Sequence, residues 1–195
     1  MSLYIPRLEW NDQTLNATRN SGSPTLSAIS STAAINVGMI ASGTGIPSDA
    51  TVISKTVSSV TLSGNATSSG TSAVTFYERI DFQFPPSEDT EEEYRPKQTI
   101  TESLSGLTQF VTDYLEAFRT VKLDFLSLTV ANKLQNNFYL YAYQGGAFRW
   151  FPDKDVLPLV STSYELGRFD FKRIRQVKKH PSFLYQVQFT FRRVV

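Results

Sequence analysis

Cysteine is absent from the 195-residue chain, and histidine occurs once. The lack of cysteine excludes disulfides, zinc-thiolate sites, iron-sulfur clusters and a cysteine nucleophile. A single histidine cannot form a histidine-pair metal site. We therefore expect no metal and no cofactor, and a chain made in a reducing compartment.

Long hydrophobic runs and an excess of one charge are also absent. No stretch approaches the roughly 20 apolar residues of a membrane helix, and the first six residues lack the basic start and apolar block of a signal peptide. The formal net charge is +1, which gives no general attraction to nucleic acid or to anionic membranes. These absences predict a soluble protein that is not an enzyme.

Residue types are distributed unevenly along the chain. Residues 21–75 contain 14 Ser and 9 Thr but no aromatic residue, whereas residues 76–195 contain 23 of the 25 aromatic residues. We do not expect the two segments to share one core, because the first lacks the large side chains that fill the second. The sequence predicts a core β domain, residues 1–20 and 76–195, that carries an inserted Ser/Thr-rich β module, residues 21–75.

The inserted segment has a strand pattern. Residues 51–57 and 59–63 are rich in β-branched side chains, and turn-forming residues occur at 43–49 and 63–65. Composition alone also fits a flexible linker. The pattern favours several short strands.

The core domain combines strand and helix patterns. Strands are predicted at residues 76–84, 120–128, 147–151, 168–177 and 183–194. In the second of these, Val121, Leu123 and Phe125 share one face. Residues 104–119 fit either a helix or an extended chain.

One helix is predicted between residues 129 and 144. Thr129 is the expected N-cap, and Gly145 and Gly146 are expected to end the helix. Its apolar face should lie on a sheet. The residues of that face are Val130, Leu134, Phe138 and Tyr141.

The last predicted strand has two contrasting faces. One carries Phe183, Tyr185, Val187, Phe189 and Phe191. The other carries Gln186, Gln188, Thr190 and Arg192. This alternation is typical of a sheet with one side in the core and the other side solvated or covered by a partner.

Few residues form a pattern with catalytic potential. Asp153 and Asp155 form a carboxylate pair, but Pro-Asp-Lys-Asp is ordinary turn chemistry. His180 precedes a proline in a predicted hairpin loop and has no nucleophile motif to activate. No glycine cluster has the spacing of a phosphate-binding loop.

Two charged segments are the better candidates for function. An acidic run at residues 88–93 is predicted to be an exposed loop, and a basic segment at residues 168–193 has a local charge of opposite sign. These segments are either solvated surface, a contact between subunits or, for the basic one, a nucleic-acid site. The candidate subunit-interface residues are Glu91, Glu92, Glu93, Arg173, Arg175, Lys178 and Lys179.

The inserted segment contains a series of short motifs in a fixed order: Gly38-Met39, Gly43-Thr-Gly45-Ile-Pro47, Thr51-Val52, Thr61-Leu-Ser63 and Asn65-Ala-Thr67. In this order it resembles a small Ser/Thr-rich β module that recurs in structural proteins of tailed bacteriophages. It covers about 55 residues.

The core domain has a second set of motifs: 94–98, Ser105-Gly106, 121–128, the helix up to Gly145-Gly146, 148–153 and 189–193. Through these residues it resembles, more loosely, the tail-tube-like or distal-tail family of phage proteins. The resemblance implies a β-sandwich or barrel with one flanking helix, assembly into rings around the tail channel and no catalytic residues.

Together these features predict a mainly β protein: an antiparallel β-sandwich or barrel with one flanking α-helix and a small inserted β module. We expect a virion structural protein, assembled in the cytoplasm of a bacterial host. It should form a homo-oligomeric ring, a hexamer, in the tail (distal tail, tail tip or baseplate) or neck, beside other virion proteins. Nucleic acid would meet it only by passing through the channel.

Two rival functions remain open at this stage. The first rival to a ring component is a capsid decoration protein or a module that binds host-surface glycan. The candidate residues for glycan binding are Tyr139, Tyr141, Tyr143 and Trp150. An enzyme of the cell-wall hydrolase type is the other rival, and the missing catalytic motifs weigh against it.

Overall fold

A computed structural model describes residues 5–86, 91–102, 108–152, 164–169, 175–179 and 185–193. These residues form twelve strands and one helical segment. The fold is mainly β and antiparallel, and the described strands do not close into a barrel. The predicted fold class is confirmed.

The chain divides into two compact units. The first in sequence is Glu9–Ile80, called here the Ser/Thr-rich unit, and it contains the predicted module of residues 21–75. The other combines Met1–Leu8 with Asp81–Val195 and is called the aromatic unit. The boundaries between the units fall within two long strands.

The Ser/Thr-rich unit contains short strands between these two long ones. Strand β1 is Arg7–Arg19, β2 is Thr25–Ser27, β3 is Ile40–Ser42, β4 is Val52–Lys55, β5 is Val60–Leu62 and β6 is Gly70–Asp81. Strand β2 pairs with β1 and β5, β4 pairs with β5, and β3 pairs with β6, all antiparallel. The strands predicted at 51–57 and 59–63 are confirmed as β4 and β5.

Small apolar side chains form the core of this unit. Its buried cluster contains a single aromatic residue, Phe76, and otherwise Ala, Leu, Ile, Met and Val. Short β-branched strands can pack closely enough to fill such a core without large side chains. The Ser/Thr-rich unit therefore has its own core, to which residues 21–75 contribute no aromatic side chain.

The aromatic unit contains the remaining strands. Strand β7 is Glu91–Glu102, β8 is Thr108–Leu126, β9 is Phe148–Phe151, β10 is Glu165–Phe169, β11 is Arg175–Lys179 and β12 is Tyr185–Arg193. Their order in the sheet is β9-β10-β12-β8-β7, and β11 also pairs with β12. Residues 108–119 are extended, so the helical alternative is wrong for them. The strand predicted at 168–177 is divided between β10 and β11.

A bulge changes the predicted face of β8. Leu126 lies opposite Tyr185 and Leu123 opposite Val187, so β8 has one more residue than β12 in this interval. Val121 and Leu123 are buried as predicted, but Phe125 is 49% exposed. The prediction for Phe125 was wrong because the extra residue reverses the alternation of side chains.

The helical segment follows β8 directly. It consists of α1 (Leu128–Lys133), a π-helical turn (Leu134–Phe138) and α2 (Tyr139–Tyr143). Its N-cap is Ser127, whose side chain accepts a hydrogen bond from the Val130 N–H, and not Thr129 as predicted. Gly145 follows the end of the helix at φ 88°, a conformation that favours glycine.

Aromatic rings join this helix to the sheet. The Phe138 ring lies 5.0 Å from Phe148, 5.1 Å from Phe169 and 6.0 Å from Phe189, measured between centroids. Leu134 and Phe138 are fully buried, as predicted for the apolar face. Val187, Phe189 and Phe191 are also fully buried, which confirms the aromatic face of β12 over the described residues.

Candidate functional site

The acidic candidates lie in a strand. Glu91, Glu92 and Glu93 open β7, where they pair with Thr120, Arg119 and Phe118 of β8. The predicted exposed loop is wrong for these three residues, because the long strand β8 provides backbone partners for them. Residues 88 and 89 of the same acidic run lie outside the described residues.

Glu93 has a charge partner in its own strand. Arg95 donates from Nε and Nη2 to the two carboxylate oxygens of Glu93, both at 2.7 Å, and the Arg95 Cζ atom lies 4.9 Å from the centroid of the Phe118 ring. This bidentate pair orients both side chains. The carboxylate of Glu93 therefore has little charge to offer a neighbouring molecule.

The basic candidates also lie in a strand. Arg175, Lys178 and Lys179 belong to β11, where they pair with Gln188, Gln186 and Tyr185 of β12. The predicted strand ended at residue 177, before Lys178 and Lys179, and this boundary was wrong because β11 extends through both lysines. Arg173 and His180 lie outside the described residues.

The acidic and basic strands lie on opposite sides of a central strand pair. Among the described residues, β7 pairs only with β8 and β11 pairs only with β12, while β8 and β12 pair with each other. The charged residues of the two strands also lie at similar positions along the β8–β12 pair. Glu91 pairs with Thr120, which pairs with Thr190, and Arg175 pairs with Gln188, two residues before Thr190 in β12.

In each of the two strands, the candidate interface residues carry charge of one sign. Strand β11 has three basic residues and no acidic residue, whereas β7 begins with three consecutive glutamates. Strand β7 also contains Pro96, a residue that is typical of edge strands because it has no N–H to donate. Charges and proline protect an exposed edge from indiscriminate pairing, so a partner at this edge must match its charge.

The polar face of β12 is linked to β8. Thr120 and Thr190 share a hydrogen bond of 2.8 Å between their hydroxyls, and Arg192 donates to Glu116 at 2.8 Å. Thr190 is only 5% exposed. Part of the polar face of β12 is therefore already hydrogen-bonded to β8 and is not available to a partner molecule.

An exposed aromatic pair was missed by the sequence analysis. Phe84 and Phe125 are each 49% exposed, and their rings meet edge-to-face with centroids 6.1 Å apart. Phe125 has φ 60°, which is unfavourable for a bulky side chain. The bulge in β8 is what exposes Phe125, and the alternation of residue types in a sequence does not reveal a bulge.

Groups with catalytic or glycan-binding potential are scarce in the described part of the chain. No group of three or more His, Cys, Asp or Glu side chains there is placed to hold a metal ion, and Asp153 and Asp155 lie outside it. Trp150 is 1% exposed, whereas Tyr143 is 63% exposed. The Tyr141 hydroxyl donates to the Ala147 carbonyl at 3.2 Å. The four candidate aromatic residues therefore do not form one open surface.

Among the residues that the structure describes, Tyr139 alone has a clear pKa shift. Burial raises the pKa of its phenol well above the ordinary value, because ionisation would place a charge in an apolar environment. Its hydroxyl is buried without a hydrogen-bond partner. This shift has a packing cause and does not identify a catalytic group.

Comparison with known proteins gives no assignment: no family model, curated protein or solved structure matches the chain significantly. In the described part of the chain, no helix is long and apolar enough to cross a membrane. The candidate site therefore rests on geometry and charge alone. It consists of β7, β11 and the Phe84–Phe125 pair.

Proposed function

We propose that this chain is a structural component of a tailed-bacteriophage virion that assembles with itself into a ring, in the tail or the neck. The virion assignment follows from the resemblance of residues 37–67 and of the core domain to phage structural proteins. The self-assembly part has a separate basis in the structure. It rests on the opposite charge of two strands, β7 and β11, that lie on opposite sides of the β8–β12 strand pair.

Head-to-tail contact explains the placement of these charges. In a ring, the surface that a subunit offers on one side differs from the surface it offers on the other. The acidic start of β7 (Glu91, Glu92) on one copy would meet β11 (Arg175, Lys178, Lys179) on the next. Two strands, β8 and β12, separate the two surfaces within a copy, so one subunit can use both at once.

The Phe84–Phe125 pair supports the same contact. Two half-exposed rings form an apolar surface, and holding Phe125 at positive φ costs about 1–2 kcal/mol. A second copy that covers these rings would recover their hydrophobic free energy, at about 25 cal/mol per Å² buried. Specific protein interfaces combine an apolar core with a polar rim.

Charge variants test this proposal. Replacing Glu91 and Glu92 with Lys should abolish the oligomer, because like charges then face each other. Replacing Lys178 and Lys179 with Glu should have the same effect. Combining the four substitutions in one chain should restore the oligomer, since the signs are opposite again. Light scattering at low and high salt is the measurement.

A matched control separates this contact from a general effect of charge. Glu91→Gln with Glu92→Gln changes the net charge by the same amount as Asn136→Lys with Asn137→Lys on the exposed helix surface. The first pair should weaken assembly and the second should not. Equal behaviour of both variants, or a chain that is monomeric before any substitution, would contradict the proposal.

A further inference from the structure

Arg19 is a buried cation at the end of β1. Its side chain belongs to the Ser/Thr-rich unit, and the residue is only 5% exposed. Nη1 donates to the Ser72 hydroxyl at 2.7 Å, whereas Nε is buried and has no acceptor. No carboxylate among the described residues forms an ion pair with Arg19. A buried charge without a counter-ion is costly, so this arrangement requires an explanation.

The unused side of the guanidinium is its side-on fork. Nε and Nη2 present two parallel N–H groups, which is the geometry that accepts two oxygens of one carboxylate or phosphate group. The Ser72 hydroxyl binds Nη1 and leaves both nitrogens of this fork without a protein acceptor. Ser72 thus binds Nη1, which is the one guanidinium nitrogen outside the fork.

Two glycines border the fork. A Cβ atom at Gly45 would lie 2.7 Å from Nε, and it would also collide with the Ser68 hydroxyl. A Cβ atom at Gly70 would lie 3.7 Å from Nη2 and would meet no other atom within 4 Å. Gly45 has φ +71° and Gly70 has φ +147°, so other residues are unfavourable at both positions. The lack of a side chain at Gly70 therefore leaves open space beside Nη2, whereas the Ser68 side chain fills the space beside Nε.

A hydroxyl is placed to complete the site. Ser68 lies beside Gly45 and is partly exposed, so we expect its side chain to rotate when a ligand binds, which would uncover Nε and turn the hydroxyl toward the ligand. A serine hydroxyl donates one hydrogen bond. An anion at this position would receive three donors: Nε, Nη2 and the Ser68 hydroxyl.

We propose that Arg19 and Ser68 bind an oxyanion, a carboxylate or a phosphate- or sulfate-type group, through the Nε–Nη2 fork. The ligand enters beside Gly70 and supplies the negative charge that the protein does not. This site lies in the Ser/Thr-rich unit and is independent of the proposed contact between β7 and β11.

NMR of the full-length chain tests the site directly. The Arg19 Nε–H signal is assigned from its absence in Arg19→Met, and sodium sulfate, phosphate or acetate is titrated at constant ionic strength, with chloride as the balancing salt. We expect a saturable shift of this signal with at least one oxyanion. Response to acetate alone identifies a carboxylate site, and response to sulfate and phosphate alone identifies a tetrahedral-anion site. No saturable shift with any of the three overturns the proposal.

Variants provide a second readout. Ser68→Ala should weaken binding roughly tenfold through loss of one charge-assisted hydrogen bond, and Arg95→Met, whose side chain pairs with Glu93 in the aromatic unit, should leave binding unchanged. In thermal unfolding, the chosen oxyanion should raise the Tm of the wild-type chain and of Arg95→Met more than that of Ser68→Ala. An equal rise in all three would show general salt stabilisation and would contradict the proposal.

Discussion

Gly167 lies directly opposite Phe148 in the antiparallel pair of β9 and β10, and the Phe148 ring covers it. A Cβ atom at position 167 would lie 2.7 Å from Cζ of Phe148 and 2.7 Å from Cδ2 of Phe191. The two rings meet edge-to-face across this position, with centroids 5.2 Å apart. The absence of a side chain at 167 thus allows the aromatic core to close over the sheet.

Gly167→Ala should destabilise the protein. Neither ring can move away easily in a packed core, so overpacking should cost about 1–3 kcal/mol. Gly64→Ala is the control, because a Cβ atom there meets only the Pro47 side chain, at 3.3 Å. Denaturant unfolding of both variants is the measurement, and equal stability of the two would contradict the packing described for Gly167.

Tyr139→Phe should stabilise the protein and reduce its sensitivity to alkali. The buried hydroxyl has no hydrogen-bond partner, so its removal should add about 1 kcal/mol. Burial raises the folded-state pKa of Tyr139, so the contribution of its protonation equilibrium to the free energy of unfolding is fully present below the unfolded-state pKa of about 10. It is lost as the pH rises above that value.

Unfolding measured from pH 8 to pH 11.5 tests the Tyr139 prediction. The wild-type curve should fall more steeply than that of Tyr139→Phe above pH 10. Tyr143→Phe is the control, because Tyr143 is 63% exposed, and it should follow the wild type. A Tyr139→Phe curve parallel to the wild type would show that the phenol does not titrate as described.

Phe125→Asn should separate folding from assembly. Asn adopts positive φ more readily than Phe, so we expect the free energy of unfolding of the monomer to change by less than about 1 kcal/mol. Assembly should weaken, because the exposed Phe84–Phe125 surface is lost. Leu140→Asn is the control, since Leu140 is also exposed, at 58%, but lies on the helix. If both variants assemble like the wild type, the aromatic pair is not part of the contact.

Excision of the Ser/Thr-rich unit should leave the aromatic unit folded. Strands β1 and β6 are neighbours, as the hydroxyl contacts Thr14–Thr75 at 2.9 Å and Thr18–Thr71 at 2.8 Å indicate, so a three-residue Gly-Asn-Gly linker can replace residues 9–80. Deletion of residues 21–75 removes less chain but strips Ala17 and Phe76 of their core partners.

Circular dichroism and dye binding compare the two deletions. The 9–80 deletion should melt cooperatively, and the 21–75 deletion should bind more of a hydrophobic dye because it exposes apolar surface. Loss of cooperative melting in the 9–80 deletion would show that the aromatic unit depends on the other unit.

Alternation and composition predicted much of the fold. Val187, Phe189 and Phe191 repeat at every second position and are buried together, and β4 and β5 follow from their β-branched residues. The apolar positions Leu134 and Phe138 place the helix correctly. These features depend on local periodicity, which the sequence displays directly.

Features that depend on pairing between distant residues were not predictable. The bulge that exposes Phe125 is defined by the register of β8 against β12, and the strand assignment of Glu91–Glu93 depends on the length of β8. The choice of Ser127 over Thr129 as N-cap follows from where β8 ends. Arg19 was missed because its burial without a counter-ion results from the loop that contains Gly45.

Native mass spectrometry of the purified chain tests the proposed ring assembly most directly. The account predicts a closed oligomer of one defined size, six copies, that dissociates as the ionic strength rises, because salt screens the charges of β7 and β11. A chain that stays monomeric at low salt and high concentration, or that forms a continuous series of sizes without closure, would contradict it.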